Sequence, residues 1–199
     1  MTAPELGSGG QAAQGGIRRI RTPLDEETVR SLRAGDEVRI SGTVYAARDA
    51  AHARLAALIR DGKPLPFDPR GAVIYYVGPT PAGAGMVCGS AGPTTSGRMD
   101  PATPALLDLG LKGMIGKGLR SARVIESMKR NEAVYFAATG GAGALLAKRI
   151  LALDVVAWPE LGPESLKRLE VEEFPAVVAV DCRGGNLYEE GPAEYRRDA

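Results

Sequence analysis

The sequence is poor in the residues from which metal and redox sites are usually built. Among 199 residues there are two cysteines, Cys88 and Cys182, and one histidine, His52. The cysteines stand far apart and match no CxxC or Cys/His ligand spacing, which argues against a zinc site or an iron–sulfur cluster held by this chain alone. So few thiols suit a reducing, cytoplasmic setting. A formal net charge of +1 gives no electrostatic reason to expect nucleic acid or a membrane surface as partner. No stretch approaches the roughly 18 consecutive apolar residues of a membrane span, and the N-terminus lacks the basic region and apolar run of a secretion signal.

What is present has the balance of a globular domain, 44% hydrophobic and 25% charged, at a length that commonly closes one core. Residues 1–16 are rich in Gly, Ala and Gln, without aromatics or periodicity, and read as a tail. Residues 17–190 read as one domain, and residues 191–199 as a second tail. Val38, Ile40, Gly42 and Val44 alternate with polar residues, the period of a half-buried strand that runs into Arg48. Asp49 is placed to cap a helix whose stripe is Ala51, Leu55, Leu58 and Ile59 and which ends at Asp61-Gly62.

The run Ala72 to Val77 is short and wholly apolar, as in a strand covered on both faces. It feeds a long Gly/Pro/Thr-rich loop, Gly78 to Pro101, of a length that usually signals function. Thr103-Pro104 opens a helix carrying Leu106, Leu107 and Leu111, and Met114 to Leu119 reads as a turn region bearing Lys117. A helix around Val124, Ile125 and Met128 follows, then a strand from Ala133 to Ala138, a helix from Leu145 to Ile150 and a strand from Val155 to Trp158. Two strands, Leu169 to Phe174 and Ala176 to Cys182, lead to a Gly184-Gly185-Asn186 turn. The alternation predicts an α/β fold, a mixed sheet with flanking helices.

The densest chemistry is Gly92-Pro93-Thr94-Thr95-Ser96-Gly97-Arg98-Met99-Asp100, in a glycine-rich loop after a buried strand. Loops at the carboxyl ends of strands are where α/β sheets bind ligands. Glycines free backbone amides to face an anion, and arginine offers a two-pronged fork to a carboxylate. Spacing alone weighs this about evenly against a capped turn with a solvated arginine, and no GxxxxGK[ST] phosphate loop is present.

Several blocks together resemble a known family. Arg48-Asp49-Ala50-Ala51-His52, Tyr75-Tyr76-Val77-Gly78-Pro79-Thr80, the Gly92 to Asp100 block, Gly116-Lys117-Gly118 and Gly140-Gly141-Ala142-Gly143-Ala144-Leu145 occur in the order seen in the β-subunit domain of class I, iron–sulfur-dependent fumarases and tartrate dehydratases. The resemblance spans Ile17 to Glu190, although the stretch Ala82 to Val87 has no tight counterpart. It implies a swivelling β/β/α domain that meets a larger α subunit, in an α2β2 assembly, with a four-iron, four-sulfur cluster bound by that partner and no metal bound by this chain. It implies Thr94 as general base with Arg48 near its hydroxyl, and Arg98, Lys117 and Thr95 as groups that bind a dicarboxylate, with fumarate/malate as the favoured substrate pair and L-tartrate or a related 2-hydroxy dicarboxylate as the alternative. Asp49, Asp100 and His52 then fall behind the reacting groups, Asp100 as a partner of Arg98 and His52 in a packing or hydrogen-bonding role. Cys88 reads as a small buried hydrophobe.

Two other classes compete. The strand Ala133 to Ala138 followed by Gly141-x-Gly143 echoes a dinucleotide fingerprint, but Leu146 stands where its third glycine belongs. A non-catalytic domain that only assembles with a cluster-bearing subunit is the other.

Overall fold

The computed structural model describes residues 16–196. Seven strands and six helices follow one another: β1 (Arg18–Arg21), α1 (Glu26–Ser31), β2 (Glu37–Ala46), α2 (Asp49–Arg60), β3 (Val73–Tyr75), α3 (Thr103–Asp108), β4 (Gly113–Gly116), α4 (Ala122–Asn131), β5 (Val134–Ala137), α5 (Gly143–Ala147), β6 (Ile150–Ala157), β7 (Leu166–Val180) and α6 (Leu187–Tyr195). Strands β1 to β5 are mutually parallel neighbours. The 15-residue β7 runs antiparallel to β2, β5 and β6. Because β7 pairs with both β2 and β5, the series β2-β3-β4-β5-β7 closes on itself, with β1 beside β2 and β6 beside β7. The fold is α/β, a mixed sheet with flanking helices.

Alternation along the strands divides the core in two. Val73, Tyr75 and Val77 join side chains from every other strand of the ring, among them Val44, Ile115, Phe136 and Val171. Ile74 and Tyr76 face the other way, onto Leu55 of α2, Leu106 and Leu107 of α3, and Val124 and Met128 of α4. β3 is buried along its whole length because both of its faces are covered. No helix among the described residues is long and apolar enough to cross a membrane.

Several sequence expectations need correction. Arg48, not Asp49, holds the N-cap position of α2, and Asp49 is the first helical residue. Ala102 precedes α3, so Thr103 is already helical; its hydroxyl donates back to the Met99 carbonyl at 2.9 Å. Met114 to Gly116 is not a turn but part of buried β4, where a side chain at Gly116 would strike the Ser96 hydroxyl. The helix expected from Leu145 to Ile150 stops at Ala147, and Ile150 opens β6. The two final strands are one, since the chain passes through Pro175 without leaving β7; Glu173 just before it takes a left-handed φ of 49°. Residues 187–195 form α6, which crosses the expected tail boundary at 190. Of the expected N-terminal tail, residues 1–15 lie outside the described residues.

Candidate active site

Four parallel strands, β2 to β5, deliver their carboxyl ends to one edge of the sheet, and every sequence block singled out above follows one of those ends. Arg48 comes two residues after β2, the long loop follows β3, Lys117 follows β4, and the Gly140 to Gly143 turn follows β5. Backbone hydrogen bonds stitch these segments together. Ala47 N–H donates to Tyr75 O at 3.1 Å and Thr94 N–H to Tyr76 O at 2.8 Å, so the Arg48 and Thr94 segments are anchored to adjacent residues at the end of β3. Lys117 N–H donates to Thr94 O at 3.2 Å, and Ser96 N–H to Lys117 O at 2.9 Å. Thr95 and Lys117 thus form a parallel bridge that continues the sheet beyond β3 and β4. Thr94 is half-buried, whereas Thr95 and Lys117 are exposed.

The arginines meet at the start of α2. Arg98 grips Asp49 with two nitrogens, Nε at 2.7 Å from Oδ1 and Nη2 on Oδ2. Arg48 Nη2 lies 3.6 Å from the same carboxylate and 3.5 Å from Glu164 Oε1. The Arg98 guanidinium holds the Asp49 carboxyl below its ordinary range, and Asp49 raises Arg98 in turn. Asp49 is therefore the partner of Arg98, a role the sequence reading gave to Asp100.

Asp100 instead receives Arg120 Nε at 2.8 Å and the Ser121 N–H at 2.7 Å. Sequence reasoning passed over Arg120, whose side chain is fully buried. Its guanidinium also donates to Thr103 Oγ1 at 2.9 Å and Tyr76 Oη at 3.2 Å, and lies 5.2 Å from the ring centres of Tyr76 and Tyr135. Tyr135 in turn donates to Gly118 O at 2.9 Å and shares a 2.8 Å hydrogen bond with the Ser96 hydroxyl. Arg120 and Tyr135 thereby lock the Thr94 loop to the Lys117 loop from beneath. The only available signal was an arginine three residues after Lys117, which does not distinguish a buried clamp from a solvated side chain.

His52 is buried against Tyr76, ring centres 5.2 Å apart, with Nδ1 2.9 Å from the Arg48 carbonyl. A carbonyl only accepts, so Nδ1 carries the proton, and Nε2 is buried without a partner among the described residues. Burial pushes the imidazole down to about 4. The ring is a neutral packing element that braces the Arg48 backbone.

The glycine turn after β5 packs rather than cradles. A side chain at Gly143 would strike the Ser90 hydroxyl and come within 2.9 Å of the Gly92 nitrogen, while Gly143 O accepts Ala91 N–H at 3.0 Å. With only five residues in the helix that follows, the dinucleotide resemblance reduces to this close approach. Among the described residues no group of three or more His, Cys, Asp or Glu side chains could hold a metal ion, and Cys88 and Cys182 are buried free thiols. The donors of an iron–sulfur cluster are not found among them.

Comparison with known proteins gives the family. The Fumarase C-terminus family matches residues 6–191. The chain belongs to that family. Among its Fumarase C-terminus relatives, the anaerobic class I fumarate hydratase of Escherichia coli is 41% identical over 153 residues, covering 76% of this chain and 28% of the enzyme. Fumarate hydratase 2 of Leishmania major is 36% identical over 173 residues, 85% of this chain and 30% of the relative. A putative L(+)-tartrate dehydratase subunit beta of Methanocaldococcus jannaschii is 37% identical over 173 residues, covering 84% of this chain and 89% of the relative. The chain thus spans under a third of the fumarate hydratases it matches, but nearly all of a separate β subunit.

Proposed function

We propose that this chain is the β subunit of a two-subunit iron–sulfur hydro-lyase that reversibly hydrates fumarate to L-malate, working only with a larger, cluster-bearing α subunit in the cytoplasm. The observation that carries the reading is the Thr95–Lys117 bridge beside the Arg98–Asp49–Arg48 cluster. It supports the reading because the loops that carry Thr94, Thr95, Arg48, Arg98 and Lys117 all follow the carboxyl ends of neighbouring parallel strands, with Lys117 outside every ion pair formed among the described residues. The cluster implied by the family finds no donor set among those residues, so in this reading it belongs to the partner.

Dehydration of a 2-hydroxy dicarboxylate needs a weakly acidic C–H removed beside a carboxylate whose charge then grows, and a hydroxyl lost from the neighbouring carbon, for which the partner's cluster would supply the Lewis acid. Lys117 and Arg98 bind that carboxylate and stabilise the added charge, an effect of about 3 kcal/mol for one well-placed donor. Thr95, at the bridge, offers a further hydroxyl. A threonine hydroxyl is a poor base at its free pKa, and neighbouring cations favour its alkoxide. Thr94, fixed through its own backbone to β3 and to Lys117, takes the proton, with Arg48 nearby.

Anaerobic reconstitution with the larger subunit and a panel of dicarboxylates tests the proposal. Turnover of fumarate is expected from the pair and none from this chain alone. Activity without a second polypeptide would contradict the split site, and an active pair whose rate is unchanged by Thr94→Ala would reduce this chain to an assembly domain. The near-complete coverage of a putative tartrate dehydratase β subunit favours one second reading, L-tartrate as substrate, which the same panel decides.

A further inference from the structure

The first turn of α2 lacks a side-chain cap of its own, because the N-cap position is occupied by Arg48, which has no acceptor. The missing acceptor arrives from more than a hundred residues away. Glu164, at the end of the 3-10 segment Pro159–Glu164 between β6 and β7, accepts the Ala50 N–H on Oε2 at 3.0 Å, while its Oε1 lies 3.5 Å from Arg48 Nη2. The same segment supplies the wall behind Arg48. At Gly78 an added side chain would meet Arg48 Cδ at 3.0 Å, Arg48 Nη1 at 3.2 Å and the Pro163 carbonyl at 3.2 Å. Arg48 therefore threads a slot between Gly78 and the Pro163-Glu164 backbone, with its Nε buried and unpartnered among the described residues. A side chain with an unsatisfied buried donor keeps one orientation only if its surroundings impose it.

We infer that Glu164 is a positioning residue that fixes Arg48 at the active site, one carboxylate oxygen closing the helix end and the other orienting the guanidinium. For its catalytic consequence the inference rests on the hydro-lyase reading. Its structural content does not. Glu164→Gln separates the two roles, because an amide oxygen still accepts the Ala50 N–H but carries no charge for Arg48. Glu164→Ala removes both.

In the full-length chain, nitrogen-15 NMR of the arginine Nε–H groups reads Arg48 directly, with Arg98 as internal reference. Glu164→Gln is expected to keep the melting temperature within about 2 °C of the parent, as for a substitution that retains a cap. It is expected to speed Arg48 Nε–H exchange about tenfold and leave Arg98 unchanged. Glu164→Ala is expected to match that exchange and also melt lower. In the reconstituted pair Glu164→Gln is expected to lower kcat by about tenfold with KM little changed, as for a misoriented group beside the reacting centre. Unchanged Arg48 exchange in Glu164→Gln would overturn the inference and leave only a cap, as would a melting loss equal to that of Glu164→Ala, since any change at Arg48 would then follow from the lost cap. If the parent pair turns over no dicarboxylate, the function is wrong, yet the exchange experiment still decides whether Glu164 holds Arg48.

Discussion

On one side of the site Arg48 and Arg98 already face carboxylates of their own chain, Asp49 and Glu164, while on the other Lys117 is exposed and shares only backbone hydrogen bonds with Thr94 and Ser96 among the described residues. A dicarboxylate bound as proposed would exchange one anion for another at the arginines, so little net attraction would be gained there. At Lys117 the full charge-assisted hydrogen bond is new. In the proposed hydro-lyase the difference would assign affinity to the lysine side and orientation to the arginine side. It also explains where the buried support lies, since Lys117 itself forms no ion pair among the described residues and its loop is held from below by Arg120, paired with Asp100, and by Tyr135.

The largest expected effect tests that support. Arg120→Met leaves Asp100, whose side chain is 13% exposed, without its cation, and should cost about 3–5 kcal/mol in urea unfolding of the full chain. Adding Asp100→Asn should recover part of the loss; strict additivity of the two would mean that the pair is not coupled. Next, Lys117→Met should reduce kcat/KM of the assembled enzyme by about a hundredfold, chiefly through KM, in line with one lost charged hydrogen bond. A change confined to kcat would reverse the division of labour between the two sides.

A smaller effect concerns the floor beneath Arg48. His52 is the only histidine, and its folded pKa of about 4 lies below the ordinary 6.5 because burial disfavours the cation. The unfolded chain therefore binds more protons between those values, so this stabilising contribution is intact above about pH 6.5 and is lost as the pH falls toward 4. Lowering the pH from 7 to 5 should remove about 2 kcal/mol through this group. Unfolding curves of the parent and His52→Asn at both pH values check it, and equal slopes would refute it. The smallest effect is Arg98→Lys, which keeps the charge but loses the two-pronged grip on Asp49, and should cost about tenfold in kcat/KM.

Much of this site could be read from local pattern. The buried run of β3 announced itself by being short and apolar, and Arg48 stood where strand periodicity gives way to helix periodicity. The long loop between β3 and α3 was marked by its glycines and prolines. What escaped was set by distant contacts. β4 reads as a turn because Gly113 and Gly116 bracket it, yet those glycines are the residues that let Val73 and the Ser96 hydroxyl approach. β7 seemed to break at Pro175, but the ladder to β2 continues through that residue, opposite Arg39. The pairings Arg98–Asp49, Arg120–Asp100 and Glu164–Arg48 join segments separated by 49, 20 and more than a hundred residues. No sequence period encodes such pairs; they exist only once the parallel strands have brought their ends together.

The hydroxyl of Thr94 is the group on which this account turns, and Thr94→Ser set against Thr94→Ala in the same reconstituted preparation isolates it. Both variants preserve the backbone bonds to Tyr76 and Lys117, and only serine keeps an oxygen. Turnover within about tenfold of the parent is expected for serine and about a hundredfold or more below it for alanine, with equal amounts of assembled enzyme. Serine and alanine variants of equal activity would contradict the assignment of Thr94 as base.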